Sequence, residues 1–108
     1  MKYLSTIFLF IILSSCREDK KVIELDIHIK NHFFNPSVIS IKKDQVLKLI
    51  IYNDDPTVEE FESFDLKREK IVPANGKIII TVGPLKNGTY EFFGEFNMKT
   101  AKGKIIVE

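Results

Sequence analysis

Residues 22–30 read VIELDIHIK, and the alternation inside them decides the fold. Ile23, Leu25, Ile27 and Ile29 take one parity, and Glu24, Asp26, His28 and Lys30 take the other. Successive side chains of a strand leave opposite faces, so this segment predicts a half-buried strand with one face on a core. The pattern recurs at 38–42, at 46–52 with Leu47, Leu49 and Ile51 on one side, around 59–66, and at 77–82, 89–96 and 104–107. Between these runs lie turn formers: Asn35-Pro36, Lys43-Asp44, Asn53-Asp54-Asp55-Pro56, Pro73-Ala74-Asn75-Gly76, Gly83-Pro84 and Asn87-Gly88. No stretch sustains a 3.6-residue period with caps. Seven to eight short strands at roughly 8–12 residue spacing predict an all-β fold, a sandwich or barrel closed by Greek-key connections.

Upstream of the first strand the chain opens MKYLSTIFLFIILSSC. One basic residue, Lys2, precedes an apolar run from Ile7 to Leu13, then two serines and a cysteine. That order predicts a secretory signal over residues 1–15. The apolar run is far shorter than the about 20 residues a membrane-spanning helix needs, so the segment reads as an address. Leu13-Ser14-Ser15-Cys16 looks like a bacterial lipobox, which makes Cys16 the expected site of lipidation and the mature N-terminus; an ordinary secretory signal with an incidental cysteine is the alternative. Residues 16–21 are then a charged, lipidated tether, and 22–108 the folded domain. The expected location is extracytoplasmic, in the periplasm or cell envelope, with the membrane as a partner through the lipid.

Removing residues 1–15 from the 108 leaves 93, enough for one small domain. Lys2 is the one charge lost, so the net charge falls from +1 to zero. Neutrality argues against nucleic-acid binding, which leaves a basic footprint. The basic cluster Lys67, Arg68 and Lys70 is interrupted by Glu69 and reads as a solvated strand face. Cys16 is the sole cysteine, so the domain has no disulfide and depends on its apolar core. Phe33, Phe34, Tyr52, Phe61, Phe64, Tyr90, Phe92, Phe93 and Phe96 are expected to supply large buried areas to that core.

Acids concentrate in one place: Asp54, Asp55, Glu59, Glu60, Glu62 and Asp65 fall within residues 54–65. Glu60 and Glu62 are two apart in a predicted strand, so their side chains leave the same face with Cα atoms roughly 6.5 Å apart. Two carboxylates held that close either share a hard cation or keep a sheet edge soluble. His28 shares the wet parity of the first strand and reads as a surface residue. His32 lies just beyond that strand, before Phe33-Phe34-Asn35-Pro36, and is a weaker candidate, one that would have to bend toward the acidic stretch. No nucleophile with a flanking base, Gly-rich phosphate loop, HExxH or CxxC occurs, so the chain does not read as an enzyme.

Three stretches, HFFNPSVISIKKDQVLKLIIYNDD, EEFESFDLKREKIVPANGK and VGPLKNGTYEFFGEFNMKTAKGKIIVE, together resemble the EfeO-type cupredoxin-like domain, a small exported family related to the cupredoxin part of periplasmic iron-uptake proteins. The resemblance covers residues 22–108 and implies a cupredoxin-like Greek-key β-sandwich. In blue copper relatives the last strands run roughly Gly-x-Tyr-x-Phe-x-Cys, then a loop with His, then Met-x-Gly, with a further His from an upstream strand. Gly88, Tyr90 and Phe92 keep that frame, but Gly94 stands where the cysteine would be, Ala101 where the axial methionine would be, and the upstream His position falls near Glu60. The thiolate, imidazoles and thioether that define such copper are missing, so type 1 blue copper is not expected. Relatives of EfeO type often carry His where this chain has Phe64 and Asn97.

The resemblance leaves Glu60, Glu62, His32 and Glu95 as candidate metal ligands. It implies an accessory to metal uptake that holds iron or copper at a carboxylate-rich site and passes it to a membrane iron permease. The rival expectation is a metal-free interaction module of the same fold.

Overall fold

A computed structural model describes residues 21–108 of the chain. The expected signal segment, Cys16 and the expected tether up to residue 20 lie outside the described residues. Nine strands follow: β1 (Val22–Lys30), β2 (Phe33–Asn35), β3 (Val38–Ile41), β4 (Val46–Asn53), β5 (Glu59–Ser63), β6 (Arg68–Val72), β7 (Lys77–Val82), β8 (Gly88–Gly94) and β9 (Lys102–Val107), with a 3-10 turn at Glu95–Asn97 between the last two. They form a four-stranded sheet in the order β2-β1-β4-β7 and a five-stranded sheet in the order β3-β9-β8-β5-β6. The result is a Greek-key β-sandwich. β1 pairs with β4 and β3 with β9 in parallel, and the remaining pairs are antiparallel.

The alternation read from the sequence sets which residues face inward. Ile27 and Ile29 of β1, Leu47, Leu49 and Ile51 of β4, and Ile78, Ile80 and Val82 of β7 are buried from one sheet. Phe61, Val72, Phe92, Ile105 and Val107 meet them from the other. Phe34, Phe61 and Phe92 make an aromatic cluster: Phe34 stands edge-on to Phe92 with ring centroids 5.0 Å apart, and Phe61 lies 5.4 Å from Phe92. Such contacts add to the area each ring buries. Gly103 sits beneath this cluster because a Cβ there would strike the Phe92 ring and the Ser37 carbonyl.

Several expectations are corrected. β2 is a strand that no alternation marks, and the basic stretch that reads as a solvated strand face forms a strand of its own, β6, set off from β5 by a turn. The strand expected over 59–66 ends at Ser63, where the chain turns through Phe64–Lys67 with Lys67 at φ 56°. The strand expected over 89–96 ends at Gly94 and gives way to the 3-10 turn. Not all the aromatics are core: Phe33, Phe64 and Phe96 are exposed, Phe64 to 74%. Ser63 at the end of β5 is buried, donates to the Glu91 carbonyl at 2.6 Å and accepts from Leu66 N–H at 3.1 Å, fastening the 64–67 turn to β8.

Candidate functional site

The site is built on β5 and its two neighbours. Along β5 the parity is strict: Glu59, Phe61 and Ser63 are buried, while Glu60 and Glu62 point out from the sandwich. β6 returns antiparallel, which sets Glu62 opposite Glu69. On the other flank Glu62 pairs with Phe93 of β8, and Glu95 follows as the first residue of the 3-10 turn. One carboxylate oxygen from each of Glu60, Glu62, Glu69 and Glu95 lies within 4.8 Å of the others. Among the described residues, no Lys or Arg nitrogen forms an ion pair with any of the four.

Four like charges with no counter-ion favour protonation. The Glu60 carboxyl is pushed up to about 7, first by its hydrogen bond to Glu69, then by desolvation and by the charge of Glu95. The Glu62 carboxyl is also raised, chiefly by its hydrogen bond to Glu95. Bridging by shared protons is what carboxylates do at this distance without a cation. Oxygen donors converging from three elements can equally surround a hard or borderline metal ion.

The structure brings Glu60, Glu62 and Glu95 together and leaves His32 apart. His32 occupies, with Asn31, the left-handed turn between β1 and β2, at φ 65° and 52°. The buried Asp55 clamps that turn, accepting Asn31 N–H at 2.7 Å and His32 N–H at 3.0 Å, and His32 Nδ1 lies 3.6 Å from the same carboxylate. Its ring is therefore tied to Asp55 and takes no place among the four glutamates. Glu69, which sequence reasoning missed, takes that fourth place. The signal for it is a register: with Phe64–Lys67 as the turn, Ser63 pairs with Arg68 and Glu62 must face Glu69. His28, as expected, is at the surface, where it stacks on Tyr52 and bonds Asp54 at 2.7 Å.

Glu59 is a separate matter. It is 2% exposed, and its carboxylate accepts from Glu60 N–H at 3.0 Å, Phe96 N–H at 2.9 Å and Asn97 Nδ2 at 2.7 Å. These bonds hold the 3-10 turn, and with it Glu95, against the start of β5.

Comparison with known proteins fits this architecture. An uncharacterized protein of Rickettsia prowazekii (strain Madrid E) is 47% identical over 91 residues, covering 84% of this chain and 73% of its own length. The metal-binding domain of the Streptococcus pneumoniae D39 Cu(I)-exporting P-type ATPase CopA, solved with Cu(I), superposes with a TM-score of 0.72 at 17% identity, covering 81% of this chain and 86% of that one. Auracyanin A, a blue copper protein of Chloroflexus aurantiacus, gives 0.71 at 11% identity over 82% of this chain and all of its own. The purple cupredoxin of Nitrosopumilus maritimus gives 0.59 at 16% identity, covering 77% of this chain and 98% of that one. At such identities the likeness is one of fold. Residues 3–107, however, match the cupredoxin-like domain family directly, and it is to that family that this chain belongs.

Proposed function

We propose that this chain is an extracytoplasmic metal-binding module of EfeO type, lipid-anchored through Cys16, that holds an iron or copper ion among Glu60, Glu62, Glu69 and Glu95 and delivers it to a membrane permease. The observation that carries this reading is the meeting of four carboxylate oxygens within 4.8 Å, none of them in an ion pair with a Lys or Arg among the described residues. Membership of the cupredoxin-like domain family, together with a fold shared with solved copper-binding proteins, supports a metal-related role.

Blue copper does not fit the chain. Gly94 and Ala101 offer no sulfur, Asn97 no imidazole, and the Glu59 carboxylate fills the space between them. An ion held on the outer face of β5 would meet oxygen donors alone, which suits iron(III) or copper(II) better than copper(I). The full-length protein titrated with copper(II) should therefore show no intense copper–thiolate absorption at the domain.

The test of the site is metal titration of wild type beside Glu60→Gln/Glu62→Gln. The double variant keeps the shape of the strand and removes both charges. Affinity for iron(III) or copper(II) should fall at least about tenfold, or about 1.4 kcal/mol. Equal affinities, or no binding by either protein, would sink the carrier reading. The second reading, a metal-free interaction module, would then stand on the exposed Phe64, Phe96 and Met98 beside the same face, with Phe64 resting on Phe93 at 5.5 Å.

A further inference from the structure

A buried carboxylate normally needs a cation or several strong donors to offset its lost hydration. Among the described residues no cationic side chain pairs with Glu59, and its three donors come from two different parts of the chain: Glu60 N–H beside it in β5, and Phe96 N–H and Asn97 Nδ2 from the turn after β8. The room it occupies is contested. A Cβ built on Gly94 would lie 2.6 Å from Glu59 Cδ, 2.8 Å from its Oε2 and 2.8 Å from Ala101 Cβ. Gly94 has φ −96° and ψ 114°, a conformation open to any residue, so glycine is required here for space and not for backbone freedom. Glu59, Gly94, Asn97 and Ala101 are thus one steric and hydrogen-bonded unit; by the resemblance, Gly94 and Ala101 stand where blue copper relatives carry a cysteine and a methionine, and Asn97 where EfeO-type relatives often carry a histidine.

We infer that Glu59 is a built-in plug at this end of the sandwich: its carboxylate occupies the room of a metal centre, fastens β5 to the turn after β8 by hydrogen bonds in place of ligand bonds, and excludes a cation. The plug is distinct from the glutamate cluster, in which Glu60 and Glu62 leave the opposite face of β5, although the turn that Glu59 fastens also carries Glu95. Its two consequences are a size dependence between positions 59 and 94 and a closed metal position.

Thermal midpoints of the full-length protein test the first. Gly94→Ala should lower the midpoint by at least ~5 °C in wild type and equally in Glu59→Gln, which keeps the size of the side chain. In Glu59→Ala, or in Glu59→Asp should the alanine variant not fold, the same change should cost less than half as much. An equal cost in all backgrounds would show that the two positions do not compete and would overturn the inference. Copper(II) titration tests the second, with wild type as the blank for Cys16. Glu59→His/Gly94→Cys/Asn97→His should develop a visible copper–thiolate band, and Gly94→Cys/Asn97→His, which retains the plug, should not. A band of equal strength in the variant that keeps Glu59 would also overturn it.

Discussion

Glu62 of β5 and Glu69 of β6 stand directly opposite each other in the antiparallel ladder, a place where opposite charges stabilise and like charges repel. With Glu60 and Glu95 alongside, this repulsion makes the stability of the metal-free fold depend on pH. The Glu60 carboxyl titrates at about 7 in the folded state against an ordinary 4.5, so between those values the folded protein holds more protons than the unfolded chain. Stability from this group is present at pH 5 and is lost as the pH rises through about 7. The midpoint of the metal-free protein should therefore fall from pH 5 to pH 8, and Glu60→Gln/Glu62→Gln should flatten that slope. A wild-type midpoint that rises over this interval as steeply as the variant's would contradict the arrangement of the four side chains.

Glu69→Gln separates the observed cluster from the one expected from sequence. It should weaken iron(III) or copper(II) binding about tenfold, as loss of one of four oxygen donors would. His32→Ala should leave the affinity unchanged, since His32 is tied to Asp55 on the β1–β2 turn. The reverse pattern in parallel titrations would restore His32 as a ligand and remove Glu69.

Phe92 lies at the centre of the aromatic cluster and is 1% exposed. Phe92→Ala should cost about 3–5 kcal/mol, measured by denaturant unfolding. In a small domain without a disulfide this is a large part of the total stability. A loss below about 1 kcal/mol would mean that neighbouring side chains collapse into the vacated space.

The central strands were legible because they are long and their inner parity is unbroken, as in Ile23 to Ile29 and Leu47 to Ile51. β6 is a charged edge strand: of Arg68–Val72 only Val72 is buried, so its charges mark a solvated strand face while no alternation marks its bounds or its pairing. β2 is three residues long, too short for a period. Aromatic composition could not say which rings face out, and so Phe33, Phe64 and Phe96 were counted with the core. Glu60 and Glu62 were found because their relation is local to one strand. Glu69 depends on cross-strand register, and Glu59 on the three-dimensional closeness of Gly94 and Ala101. A cue for Glu59 did exist: it shares the parity of Phe61, which points inward.

The proposed lipidation at Cys16 is testable without a purified domain. Cys16→Ser should release the protein from membranes or leave residues 1–15 attached, as seen by fractionation and by mass of the chain. A Cys16→Ser protein found in the membrane fraction at its normal mature size would exclude the lipid anchor.

The strand that begins the domain has a geometric consequence for such an anchor. Val46 N–H donates to the Lys21 carbonyl at 3.0 Å, and Val22 lies beside Val46, so the chain enters the sandwich at the end where β4 begins and β7 finishes. Glu59 and Glu60 belong to the other end, with Val72 and Asn53. Cys16 is five residues before Lys21, a reach of at most ~18 Å when fully extended. An acylated Cys16 would therefore hold the sandwich by the end where β4 begins, and the start of β5, with Glu59 and Glu60, would lie at the end of the domain away from the lipid.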